Sequence, residues 1–120
     1  MRDDFTIETK EVLAKRVAGQ CSNPGCDRTT SGPRTDSAKS VNIGVAAHIT
    51  AAATNGPRYD PSLTTDQRKS PENGIWLCQN CAKLVDNDPH RYTVAVLRGW
   101  KQSAEEKAQT LLQSPASLPR

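Results

Sequence analysis

Four cysteines in two close pairs constrain this chain more than any other feature. Cys21 and Cys26 flank Ser-Asn-Pro-Gly, and Cys78 and Cys81 flank Gln-Asn. Pro24 and Gly25 force a tight turn inside the first pair. Each pair can present two thiolates to one metal ion, and two such knuckles complete a tetrahedral shell. A shell of four thiolates has no open position, so the expected ion is a structural zinc. Its binding free energy, on the order of 10 kcal/mol in small zinc domains, would hold the N-terminal turn against the later segment. A redox role for Cys78 and Cys81 is disfavoured, because no thioredoxin-like βαβ pattern surrounds them.

A staple of this kind is needed. The chain has 120 residues, is 35% hydrophobic, and carries one Phe, two Tyr and two Trp. So little large apolar surface offsets ordering entropy only narrowly. No apolar run reaches membrane-spanning length, and the opening residues MRDDFTIETK lack the apolar core of a signal peptide. A soluble cytoplasmic protein with no membrane partner is therefore expected. In that reducing setting close cysteine pairs favour metal over disulfides. The net charge is mild, +3 from 16 basic and 13 acidic residues, which permits phosphate contacts without requiring them.

Along the chain, residues 6–18 read as a helix with Ile7, Leu13 and Val17 as a partial apolar stripe and Gly19 as its terminator. A polar loop runs from the first cysteine pair to Lys39. Residues 41–49 read as a strand ending at His48, followed by the small-residue stretch 50–54 and an irregular segment, 55–73, rich in Pro, Gly, Asp and Arg. Loops of that length inside a compact domain are usually functional or mobile. Residues 75–77 read as a second strand running into the Cys78 turn, with a short helix over 79–85. Thr93 would cap a last helix with Val94, Leu97, Trp100, Ala104, Ala108 and Leu111 on one face. Residues 1–113 thus read as one domain, and 114–120 as a disordered tail or the start of a linker.

The order of strand with terminal His48, long loop, Asn73, strand, Cys78-Gln-Asn-Cys81 and helix resembles the HNH (His-Me finger) endonuclease family. The resemblance covers roughly residues 20–101. Its most specific string is Asn73-Gly-Ile-Trp-Leu-Cys-Gln-Asn-Cys-Ala-Lys-Leu-Val-Asp86. With Val45-Ala-Ala-His-Ile49 and Gly56-Pro-Arg-Tyr-Asp60, it is similar to nuclease modules of bacterial antiphage effectors. The resemblance implies an α+β fold with a small ββα-metal core, a four-cysteine zinc knuckle pair, and flanking N- and C-terminal helices. It also implies metal-dependent hydrolysis of phosphodiester bonds, of double-stranded DNA with little sequence specificity. A C-terminal sensor domain is the further partner it suggests, and a homodimer or higher oligomer is expected because a double-strand break in one visit needs two hydrolytic sites.

By the same resemblance His48 is the general base, a role that suits an imidazole of ordinary pKa about 6.5. Asn73 would brace the loop and His48, since its amide donates and accepts at once. The family pattern is broken at Ala82, where many zinc-containing members carry a metal-binding His, and at Ala47, often acidic or His. Asp86, one turn beyond Ala82 on the same helix face, is the expected replacement ligand for magnesium or manganese, with His90 a weaker candidate. Arg58, Arg68 and Lys69, in the loop between His48 and Asn73, are expected to contact the nucleic-acid backbone. Two other functions compete. One is a catalytically inactive zinc-stabilised module that binds nucleic acid or protein, which Ala82 and Ala47 favour. The other is an assembly module using the last helix as a dimer seam.

Overall fold

The structure is a computed structural model that describes residues 2–114. Of the stretch read as a disordered tail, all but Ser114 lies outside the described residues. The first helix, α1 (Ile7–Arg16), is capped by the Thr6 hydroxyl, which accepts from the Thr9 amide at 3.1 Å. Glu8 in the first turn and Lys15 and Arg16 in the last complement the helix dipole. The helix stops short of the expected residue 18. Ala18 and Gly19 take left-handed φ values of 55° and 69°, and the Gly19 amide closes the turn on the Ala14 carbonyl at 2.8 Å.

Two antiparallel ribbons follow. Strands β1 (Ser31–Pro33) and β2 (Ser40–Asn42) form one; β3 (Gly44–His48) and β4 (Gly74–Cys78) form the other. In the second, Gly44 faces Cys78 and His48 faces Gly74. The apolar run 41–49, expected as one strand, is therefore two strands that change partner at Ile43. The Ile43 amide donates to the Thr30 carbonyl, and the Asn42 side chain takes the Gly44 amide, both at 2.8 Å. Part of the predicted polar loop before Lys39 supplies the partner, β1.

Trp76 explains why a glycine stands at the start of β3. A Cβ built on Gly44 would fall 2.2 Å from the indole, so the ring lies over the bare backbone. The indole Nε1–H donates to the buried Thr30 hydroxyl at 2.9 Å, and that hydroxyl donates to the Gly19 carbonyl. The ring's one polar atom is thus satisfied.

The loop read as irregular, 55–73, contains a short helix, α2 (Thr65–Lys69), and a 3₁₀ turn over Pro71–Asn73. Thr64 and Gln67 form a reciprocal capping box at the start of α2. Helix α3 (Gln79–Asn87) leaves β4 without a linker, and α4 (Val94–Gln113) is capped by Thr93, whose hydroxyl accepts from the Val96 amide at 3.2 Å.

The β3–β4 hairpin is covered on both faces, as every residue of β4 is buried. Alternation of side chains separates two apolar clusters. Ile75 and Leu77 join Ile49, Val85 and Leu97, with Tyr92, Val94 and Trp100 packed around them. Trp76 points the other way, to Phe5, Leu13 and Val17. Leu97 is fully buried in the first cluster, so it belongs to the core and not to a dimer seam. Ala104 reaches the second cluster, while Ala108 and Leu111, expected on the same face, join neither. Arg16 grips Glu105 with two hydrogen bonds of 2.9 and 2.8 Å, tying α1 to α4. Lys101 Nζ donates to the carbonyls of Gly74 and Pro71 at 2.7 and 3.1 Å, tying α4 to the entry of β4. No helix among the described residues is long and apolar enough to cross a membrane.

Gly44→Ala should destabilise the protein by about 1–3 kcal/mol, because the new methyl must displace the indole and break its bond to Thr30. Urea unfolding followed by tryptophan fluorescence measures this; an unchanged midpoint would show that Trp76 does not lie over Gly44.

Candidate functional site

The four cysteine sulfurs come together although their pairs are distant in sequence. All four Sγ atoms lie within 4.8 Å of one another, and those of Cys26 and Cys78 are 3.9 Å apart. Zinc–sulfur bonds of about 2.3 Å in a tetrahedron require sulfur–sulfur edges of about 3.8 Å. A disulfide requires about 2.05 Å, and all four cysteines are free. The cluster therefore fits one four-coordinate metal ion such as zinc.

Local structure prepares both knuckles. In the first, the Asn23 side chain accepts from the Gly25 amide and its carbonyl accepts from the Cys26 amide, each at 2.9 Å. Asp27 takes a left-handed φ of 54° to bring the chain back, and the Cys21 amide donates to the Arg28 carbonyl at 2.8 Å. The Ser22 amide fastens the turn to the Trp76 carbonyl at 2.9 Å. In the second, Cys78 caps α3, its sulfur accepting from the Cys81 amide at 3.4 Å. Asn23 Nδ2 donates to the Cys81 sulfur at the same distance, so one knuckle stabilises a thiolate of the other. Burial pushes the Cys21 and Cys81 thiols up. Burial acts on Cys78 too, but the Cys81 amide and the neighbouring thiols outweigh it and pull Cys78 down.

A second feature lies at the far end of β3. A groove of about 400 Å³ is lined by His48 with Ala46 and Ala47 from β3, Ala82 and Asp86 from α3, Arg2, and the turn over residues 51–57. His48 is half-buried. Its Nε2 lies 2.8 Å from the Asp3 carbonyl oxygen, and its ring stacks on Phe5, with centroids 3.9 Å apart and planes within 7°. A carbonyl only accepts, so Nε2 carries the proton in that contact and the lone pair of the neutral ring is on Nδ1. Burial, more than any charge nearby, moves the imidazole below its ordinary pKa; the Asp3 carbonyl opposes the shift and Arg2 adds to it.

Asn73, directly before the β4 glycine that faces His48, is buried and saturated. Its Oδ1 accepts from the Thr50 amide at 3.0 Å and the Thr50 hydroxyl at 2.9 Å. Its Nδ2 donates to the carbonyls of Thr50 and Arg68, at 3.1 and 3.0 Å. These bonds clamp the chain two residues beyond His48, and the Ile49 amide adds a 2.8 Å bond to the Asn73 carbonyl. Asn73 thus braces the loop; it makes no direct bond to the imidazole.

Asp86 reaches the groove with its side chain 52% exposed, and one carboxylate oxygen accepts from Arg58 Nη2 at 3.0 Å. The other oxygen has no partner among the described residues. His90 is exposed and does not line the groove.

Two of the three residues expected to meet nucleic-acid backbone are turned inward. The Arg58 side chain is only 4% exposed. Its Nε donates to the Ile49 carbonyl at 2.7 Å, and its Nη1 donates to the carbonyls of Val85 and Tyr92 at 2.9 and 3.2 Å. Arg68 is buried against Asp3 at 3.5 Å, donates to the Asp60 carbonyl at 2.8 Å, and sits 4.7 Å from the centre of the Tyr59 ring. In a loop with few apolar side chains, the guanidinium fork supplies the cross-links that a core would otherwise provide. Lys69 alone of the three is exposed. Sequence reasoning missed Asp3, Phe5 and Thr50, which touch His48 or brace its loop; each lies far from, or unremarked beside, the residues that carry the resemblance. No protein-family model matches the chain, and no curated protein matches it.

The purified protein should contain one zinc per chain by elemental analysis, and a strong chelator should lower its melting temperature. The metal should be lost as pH falls, because protons compete for thiolates whose folding partner is the cation. Retention of full stability after metal removal would rule out the staple.

Proposed function

We propose that this chain is an HNH-type endonuclease domain that hydrolyses phosphodiester bonds, of double-stranded DNA in the first instance, with a zinc-knuckle pair as its scaffold. The observation that carries the reading is the state of His48. It is a half-buried imidazole held through Nε2 by a carbonyl, on the rim of a groove that also holds a carboxylate. The order of elements gives further support. A hairpin whose first strand ends in that histidine runs directly into a helix that begins at the metal cluster.

In this reading the groove receives a phosphodiester; Nδ1 of His48 takes a proton from the attacking water as its oxygen bonds to phosphorus, and the opposite phosphorus–oxygen bond breaks, the leaving oxygen taking a proton from solvent water. Asn73 holds the Thr50 backbone and so fixes where β3 ends. Asp86 would hold magnesium or manganese through its free oxygen, and the cation would supply neutralisation of charge at the phosphate. Arg58 keeps Asp86 aimed at the groove. Since Arg58 and Arg68 are internal, contact with the backbone falls to surface cations such as Lys69. A double-strand break takes two such sites, so a homodimer or larger assembly is the expected working form. A C-terminal sensor domain of the kind fused to antiphage nucleases is its expected regulator.

A second reading is a catalytically inactive zinc-stabilised module that binds nucleic acid or protein. Ala82 and Ala47 favour it, because two positions on the groove wall carry methyl groups where ligands could stand. Among the described residues the four cysteines are the single cluster of three or more metal-binding side chains.

Plasmid cleavage separates the two. With zinc content matched, wild-type protein should nick or linearise DNA in magnesium or manganese, stop in EDTA, and lose about two or more orders of magnitude in rate as His48→Ala. Equal activity in both proteins would remove His48 from the chemistry, and none in either under forced dimerisation would leave the binding module. The base works as the neutral imidazole, so activity falls as pH drops through its pKa. Because burial depresses that pKa, the acid limb should lie below the ordinary value of about 6.5. A limb above that value would assign it to another group.

A further inference from the structure

The segment before α1 behaves unlike a loose end. Asp3 and Phe5 are buried while Arg2, Asp4 and Thr6 are exposed, the alternation of an extended chain lying on a surface. The Asp3 amide donates to the Ala52 carbonyl at 3.0 Å, and its carboxylate faces Arg68 Nη1 at 3.5 Å. Arg68 is itself fastened by the Asp60 carbonyl and the Tyr59 ring. The segment is thus pinned on both sides of the groove loop, and the Asp3 carbonyl that remains points to His48 Nε2.

Phe5 completes the arrangement. His48 faces Gly74 across the hairpin, and a Cβ on Gly74 would fall 3.1 Å from the end of the Phe5 ring and 2.5 Å from Leu13. The glycine therefore leaves the space in which Phe5 lies parallel to the imidazole. A free imidazole rotates about two torsions and exchanges its proton between two nitrogens; here the stacking fixes the ring plane and the carbonyl fixes the proton.

We propose that Asp3 and Phe5 are positioning residues of the site, holding His48 as the Nε2–H tautomer with Nδ1 directed to its task, and that Arg68 is the anchor that keeps them there. The inference rests on His48 acting as the base, but its physical content, a locked ring, is measurable without any cleavage.

The test is ¹⁵N imidazole NMR at neutral pH on the zinc-loaded wild type and on Phe5→Leu, Asp3→Asn and Val17→Ala, alongside DNA cleavage kinetics. The wild type should show His48 as a single Nε2–H tautomer. Phe5→Leu keeps an apolar side chain in place of the flat ring, and Asp3→Asn removes the charge that faces Arg68. Both should bring in the second tautomer and lower kcat about tenfold or more, with KM within about twofold. Val17→Ala weakens the same apolar cluster without touching His48 and should alter neither. A wild-type Nδ1–H tautomer, or a Phe5→Leu spectrum matching that of Val17→Ala, would overturn the proposal. A locked tautomer released by Phe5→Leu in a protein that cuts no DNA would uphold the positioning role and reject the nuclease reading instead.

Discussion

The four-cysteine cluster is the constraint around which the other contacts are arranged, because it joins the Cys21–Cys26 turn to the open end of the hairpin and the start of α3. The Cys21–Cys26 turn reaches β4 through a single backbone bond, Ser22 to Trp76, and α3 begins on the cluster itself. A chain with one Phe, two Tyr and two Trp cannot make one thick core. It divides its apolar residues into two thin clusters, one on each face of the hairpin, and neither spans the molecule. With the thiolates released, the first knuckle would keep few ties to the sheet, and Trp76 would lose the wall that Thr30 provides.

At the opposite end of the hairpin, polar chemistry takes over the same duty. Between Ile49 and Asn73 the chain has scarcely any large apolar side chains, yet much of it is buried or half-buried. Asn73 satisfies Thr50 from both sides, Arg58 gathers three backbone carbonyls and a carboxylate, and Arg68 meets Asp3 and Asp60. Buried donors of this kind are costly when left unmatched, so each network holds its segment to one conformation. Arg68 Nε, which has no partner among the described residues, is the one gap in that pattern.

Much of this architecture was legible in the sequence, and the boundary of legibility has a physical cause. Cysteine spacing points to a four-cysteine site able to hold a metal because the ligands' chemistry is local and the knuckle turn needs its Pro and Gly. The Thr93 cap and the apolar spacing of Val94, Leu97 and Trp100 likewise carry their meaning within a few residues. The break at Ile43 does not, since the Ile43 amide is taken by Thr30, a residue of the polar loop, and the adjoining Gly44 lies under Trp76, far along the chain. The inward turn of Arg58 and Arg68 is equally hidden, because a basic residue in a Pro- and Gly-rich loop looks the same whether it meets solvent or carbonyls. Helix α2 could have been read from Thr64 and Gln67, whose spacing is that of a capping box. For His48 the strand and the resemblance pointed to the residue, but its partners Asp3 and Phe5 come from a segment that no local pattern connects to it.

Arg58 also bears on the shape of the groove. Its fork bonds the residue after His48 on one wall of the groove and both Val85 and Asp86 on the other. Cross-links of this kind oppose parting or closing of the two sides, so the groove should keep its width when something enters. On the nuclease reading proposed above, a nucleic acid seated there would have to supply any deformation itself, bending until a phosphate reached His48.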